Sequence, residues 1–322
     1  MPATATHAFF VKDVYDILPD NIKNKVNINR CKMFGQSMDS LMFYNLFSAL
    51  PGKEMRKFQF RFHTCNTQDF FINLLNYIKN NKIDDTDTNS FLLGVICHFV
   101  LDSTFHPYII YKTGAFDKNN KSTYKYNNIH AFMESFIDND MIARREKINP
   151  YKFNISKYCF DLRPFSNDLN KTIDYVFFKT YGIKNMSKKY YKSLKQMRMA
   201  INVFRRDTYG VKKFIYKFVD SFTTDRTYRF EAISYHVPLE DKHNYLNLNN
   251  TMWRHPVNYD VTSTESFVDL YLKAIKSAKV IMCASWDFLD NKSIDLSKIY
   301  PNITYTTAID CTKYEDPKYF AF

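Results

Sequence analysis

The feature that most constrains this chain is His98-Phe-Val-Leu-Asp102-Ser-Thr-Phe-His106, three ionisable side chains at intervals of four inside an apolar run. Residues four apart project from nearly the same side of an α-helix. His98 and Asp102 can therefore reach one ion, with His106 one turn further along. Burying such groups unpaired costs several kcal/mol, so the fold must bring partners to them. The same spacing recurs at His130 and Glu134. Imidazole and carboxylate are the nitrogen and oxygen ligands that zinc accepts at about 2 Å. Two such pairs on separate helices can enclose a polynuclear site in the middle of a bundle. A single pair is a common accident, and a lone histidine on an apolar face is usually a satisfied core residue. Here, however, five of the eight histidines (His7, His63, His98, His106 and His130) precede residue 131, and a shared metal supplies the partners they need.

Helical periodicity runs along the chain. Phe70, Phe71, Leu74, Leu75 and Ile78 mark an amphipathic helix over 68–82. Asp87, Thr88, Asn89 and Ser90 offer N-caps to an apolar helix over 91–105, with Pro107 just beyond its end. Further helices are expected at 130–145, 167–181 and 188–206, with Gly182 as a C-cap. Thr262 and Glu265 have capping-box spacing ahead of a long helix to about Leu289. Residues 223–260 contain Pro238, Pro256 and many Asn, and read as an extended connection. Only six glycines occur, few for a sheet protein rich in tight turns. The expectation is an all-α, multi-helix bundle around the metal site, organised as one domain over 1–322. Residues 1–145 hold the metal-site helices, and 146–322 add helices and a less regular C-terminal region.

Several alternatives are disfavoured. No adjacent His-Asp dipeptide, His-Glu-x-x-His, Gly-x-x-x-x-Gly-Lys or Gly-x-Ser-x-Gly is present. The six cysteines form no Cys-x-x-Cys pair, which argues against a thiolate zinc site and a disulfide framework. The N-terminus lacks the basic and apolar regions of a signal peptide, and no segment offers about 20 uninterrupted apolar residues. Cytoplasmic location is the default expectation. The net charge of +12 points to anionic partners. Between Lys179 and Lys217 twelve basic residues face a single acid, Asp207. Tyr and Phe alternate with these charges, which leaves peripheral membrane contact open.

Together, Pro2-Ala-Thr-Ala-Thr-His7, Gly35-Gln-Ser-Met-Asp39, His63, Gly94-Val-Ile-Cys-His98 through His106-Pro107, and His130-Ala-Phe-Met-Glu134 resemble the zinc-dependent phospholipase C family. The likeness is to its signal-less members, and the family shares its trinuclear helical fold with single-strand-specific P1-type nucleases. Trp253-Arg-His-Pro256 and the helix after it look like the C-terminal end of those members.

The resemblance implies two to three zinc ions. It assigns His63, His98 and Asp102 to one and His106, His130 and Glu134 to a second. Asp102 would bridge to a third, bound by His7 and by backbone groups of the first residue, Met1 or a trimmed Pro2. Asp39 is implied as the general base, or as the group that orients the attacking water. The implied reaction is hydrolysis of a phospholipid or other phosphodiester to diacylglycerol and a phosphorylated headgroup. A P1-type nuclease acting on nucleic acid is the first alternative, less favoured. A non-catalytic, metal-stabilised binding protein is the second. No obligate protein partner is inferred.

Overall fold

A computed structural model describes residues 4–117, 119–205, 207, 209–222, 230 and 240–322. Met1 and Pro2 lie outside the described residues, as does most of the 223–239 stretch. Among the described residues the fold is all-α apart from a two-stranded ribbon and one isolated bridge between Ile303 and Asp310. Helices α1 (Thr4–Ile17), α2 (Asp20–Lys23) and α3 (Ile28–Phe34) lead into a 3-10 turn, Ser37–Phe43. Next come α4 (Lys53–Thr64), α5 (Thr67–Asn80), α6 (Thr86–Thr113) and α7 (Tyr124–Glu146). Helices α8 (Ile155–Cys159), α9 (Asn167–Tyr181) and α10 (Met186–Ala200) follow, with a π-helical turn at Ile201–Arg205 and then α11 (Val211–Phe222). Strands β1 (Trp253–Arg254) and β2 (Thr262–Ser263) pair antiparallel ahead of α12 (Phe267–Leu289) and α13 (Leu296–Ile299).

The bundle is organised around α6, which packs on α1, α3, α7, α9 and α12. By length and apolar composition α6 could cross a membrane, but its apolar window is 89% buried inside the protein, so core packing consumes it. Its start differs from expectation: Asp85 caps it by accepting from Thr88 N at 2.9 Å. Its end differs more, because the helix continues through Pro107 to Thr113. Proline inside a helix removes one backbone hydrogen bond and costs about 3 kcal/mol. Burial of Phe105, Tyr108 and Ile109 around it offsets that cost.

Two devices fix α3 against α6. Gly94 lets the backbones approach so closely that an added Cβ would lie 2.5 Å from Phe34 Cβ and 2.8 Å from Gly35 N. Buried Arg30 donates through Nε to Asp87 Oδ1 at 2.8 Å and through Nη1 to the carbonyls of Asp161 and Arg163. Other sequence features sit as expected. Gly182 ends α9 with φ +73°, and Phe70, Phe71, Leu74, Leu75 and Ile78 form the buried face of α5. The capping box of α12 is Ser266–Asp269, not Thr262–Glu265, because Thr262 is committed to β2.

Candidate metal centre

The helical period of α6 brings His98, Asp102 and His106 onto one buried edge, where none of the three is more than 6% exposed. Four other segments deliver side chains to that edge: His7 from α1, Asp39 from the 3-10 turn, His63 from the end of α4, and His130 and Glu134 from α7. Two sets of donor atoms converge. In one, His7, Asp39, His98 and Asp102 place ligand atoms within 4.8 Å of one another; in the other, His106, His130 and Glu134 do so. His63 borders the first set, its Nε2 lying 3.2 Å from Asp39 Oδ1, 3.8 Å from Asp102 Oδ2 and 3.1 Å from His98 Nε2.

Hydrogen bonds to backbone carbonyls fix which nitrogen of each ring faces inward. A carbonyl can only accept, so the ring nitrogen opposite it carries the proton. His63 Nδ1 donates to Gln59 O at 2.7 Å, His98 Nδ1 to Gly35 O at 3.0 Å and His106 Nδ1 to Tyr305 O at 3.0 Å. With Nδ1 carrying the proton in each, the Nε2 atoms of His63 and His98 face each other at 3.1 Å, both proton-free when the rings are neutral. Two lone pairs at that separation repel unless a cation lies among them. Buried His7 Nε2 and both carboxylate oxygens of Asp102 also lack a hydrogen-bond partner among the described residues, although His7 Nε2 is 3.4 Å from Asp102 Oδ1. In the second set His130 Nε2 donates to Glu134 Oε1 at 2.9 Å, and His106 Nε2 lies 3.9 Å from the same oxygen.

The electrostatics agree with a cation-binding cage. Burial lowers His7 and His98 to about 4 and drives His106 well below the usual histidine range, so these rings stay neutral and able to ligate. Burial raises Asp102 to about 6 against the pull of His98. Burial also works to raise Asp39, and the charge that His98 and His63 carry when protonated works to lower it below the ordinary carboxylate value.

Of the whole chain, residues 6–195 match the family model for zinc dependent phospholipase C. The chain belongs to the zinc-dependent phospholipase C family. No curated protein and no solved structure matches it. The matched segment contains every side chain of the two donor sets, and the donor chemistry, neutral imidazoles with carboxylates, is that of a zinc site.

Sequence reasoning passed over the groups that support the family's donor cluster here. Gln59 Nε2 donates to Asp39 Oδ1 at 2.9 Å. Tyr305 supplies the carbonyl for His106, donates its own N–H to His63 O at 2.8 Å, and sets its ring edge-on to His63 at 4.8 Å between centroids. Asp138, buried one turn beyond Glu134 on α7, accepts from Ala5 N, Thr6 N and Thr6 Oγ1 at 2.7–3.0 Å. It thereby clamps the start of α1, which carries His7. Asp138 was detectable, since it continues the four-residue rhythm of His130 and Glu134. The Gly35 and Tyr305 carbonyls left no trace in side-chain identity.

Proposed function

We propose that this chain is a zinc-loaded phospholipase C that hydrolyses the glycerol-side phosphodiester bond of a phospholipid, releasing diacylglycerol and a phosphorylated headgroup. The observation that carries the reading is the facing of His63 and His98 Nε2 at 3.1 Å beside the Asp102 oxygens, which lack a hydrogen-bond partner among the described residues, an arrangement that a shared cation relieves. His63, His98 and Asp102 would hold one ion; His106, His130 and Glu134 a second; His7 with Asp102 part of a third. Bound zinc supplies Lewis acidity, acidifying water and neutralising phosphate oxygens as charge builds on them.

The remaining work falls to the chain's own groups. Asp39, whose carboxyl lies below the ordinary carboxylate value, is ionised at neutral pH, and Gln59 fixes the direction of its Oδ1 by donating to it. In this reading Asp39 orients the attacking water. As the water oxygen bonds to phosphorus and the bond from phosphorus to the glycerol oxygen breaks, the water proton passes to the Asp39 carboxylate and from there to the departing glycerol oxygen, which leaves as the hydroxyl of diacylglycerol. The carbonyls of Gln59, Gly35 and Tyr305 hold the imidazoles in the ligating tautomer throughout.

The test pairs elemental analysis with a substrate panel. Purified protein should carry two to three zinc ions per chain and release phosphocholine from phosphatidylcholine while leaving single-stranded DNA intact. Less than one zinc per chain, DNA cleavage in place of lipid cleavage, or zinc without any turnover would overturn the proposal.

A further inference from the structure

Helix α11 turns its apolar face the wrong way for a helix packed on a core. Its inward contact is Tyr216, which is buried and donates from its hydroxyl to Phe204 O at 2.8 Å, while Lys212 Nζ donates to the Val203 carbonyl. The outward face carries Val211, Phe214, Ile215, Phe218 and Phe222, spaced three and four apart along about 18 Å of helix. Phe214, Phe218 and Phe222 are 75%, 66% and 70% exposed, and the rings of Phe218 and Phe222 stack edge to face at 4.8 Å on the open surface. Lys213 and Lys217 flank this stripe, and no acid occupies an exposed position of the helix. Its one acid, Asp220, is partly buried and accepts from Phe230 N at 2.9 Å.

The patch continues beyond the helix. Phe47 stacks on Phe204 with ring centroids 6.1 Å apart, so the 42–50 loop and α11 are anchored on the same residue. That loop exposes Met42, Leu46, Phe47 and Leu50, and it starts within the Ser37–Phe43 turn that carries Asp39. Runs of exposed apolar side chains rimmed by charge mark a contact with a partner. An apolar stripe beside lysines, without acids, suits one occupant best: a bilayer surface, with acyl chains for the aromatic rings and headgroup phosphates for the ammonium groups. Helix α11 lies outside the 6–195 family match, so membership of the family does not account for it.

We propose that α11 and the 42–50 loop form an interfacial anchor that seats Phe214, Phe218 and Phe222 in the surface of an anionic phospholipid bilayer, with Lys213 and Lys217 among its headgroups. What docking serves rests on the phospholipase reading, since it would hold the Asp39 turn against its lipid substrate. Docking itself is measured without turnover.

The full-length, zinc-loaded protein is floated with vesicles of phosphatidylcholine and phosphatidylglycerol in equal parts. It is also assayed on short-chain phosphatidylcholine below its micelle concentration. The Phe214→Ser/Phe218→Ser variant should lose about tenfold or more of vesicle binding, and hydrolysis of vesicle lipid should fall with it. Its hydrolysis of the monomeric lipid should match the parent. Lys213→Glu/Lys217→Glu should weaken binding to these anionic vesicles and flatten its salt dependence. Equal flotation of the parent and the phenylalanine variant would overturn the anchor. So would a parent dimer that this variant dissociates without either protein binding vesicles. Flotation without cleavage of any lipid sinks the phospholipase reading and leaves the anchor standing; cleavage of monomeric lipid without flotation does the reverse.

Discussion

Asp102 Oδ1 lies 3.4 Å from His7 Nε2, and neither atom has a hydrogen-bond partner among the described residues. Without a cation this is an uncompensated buried carboxylate facing an imidazole that burial keeps neutral. With one, it is a pair of ligands. Asp102→Asn should therefore act with opposite sign in the two states. In metal-free protein it removes a buried charge and should stabilise by about 1–3 kcal/mol at neutral pH. In metal-replete protein it should lower bound zinc and destabilise. Denaturant unfolding with and without chelator reads both signs, and the same sign in both states would contradict the cage.

Asp39→Asn preserves size and can still meet Gln59, but it cannot take a proton from water. Zinc content is expected to remain within the parent's range while kcat falls by about 10²–10⁴-fold. Turnover close to that of the parent would reassign the base.

Asp138 accepts two backbone N–H groups and a hydroxyl from the first turn of α1. Asp138→Ala leaves those donors buried without acceptors and should cost about 2–4 kcal/mol. Because α1 carries His7, part of the bound zinc should be lost as well. Thermal unfolding and metal analysis together test this; a stable variant with full zinc would show that α1 needs no clamp.

Gly94 faces Phe34 Cβ at 2.5 Å and the Phe34 backbone carbon at 2.6 Å from the site of an added Cβ. Backbone cannot rotate away as a side chain can, so Gly94→Ala should destabilise by about 3 kcal/mol or more. It should also move Gly35 O off His98 Nδ1, now 3.0 Å away, and weaken zinc binding. An unchanged denaturation midpoint would refute the close approach.

Acid should weaken the metal-free protein. His7 and His98 fall from 6.5 unfolded to about 4 folded, and burial lowers His106 well below 6.5 too. Between those values the unfolded chain takes up protons that the folded rings refuse, so stability drops as pH falls from 6.5 to 4. Asp102 opposes this, since its folded carboxyl protonates near 6, ahead of the unfolded one at 3.8. Asp138, also raised by burial, acts in the same direction as Asp102; three histidines outweigh two carboxyls, and the net expectation is loss. Denaturant midpoints measured across this range in chelator check the slope.

The all-helical class and the family were legible in the sequence because both rest on side-chain identity at helical spacing. α5 and α9 follow from their periodicity and caps. The extent of α6 was not legible: a local rule ends helices before proline, whereas burial of the flanking residues carries this one through Pro107. The true capping box of α12 lost to a look-alike four residues earlier because pairing of β1 with β2 claims Thr262. The outward stripe of α11 was equally hidden, since periodicity reports that a face is apolar and never which way it points.

By itself the sequence determined which donors this protein has and how they are spaced. His98, Asp102 and His106 share one helix edge, and His130 and Glu134 share another, as the 3.6-residue period requires. Only the tertiary structure decided how the sets meet and which atoms face inward. The carbonyl that sets the His106 tautomer comes from Tyr305, 199 residues away, and a backbone carbonyl is the same in every residue. Such a contact has no signature in a sequence, because it is made by where the chain passes and not by which side chain it carries.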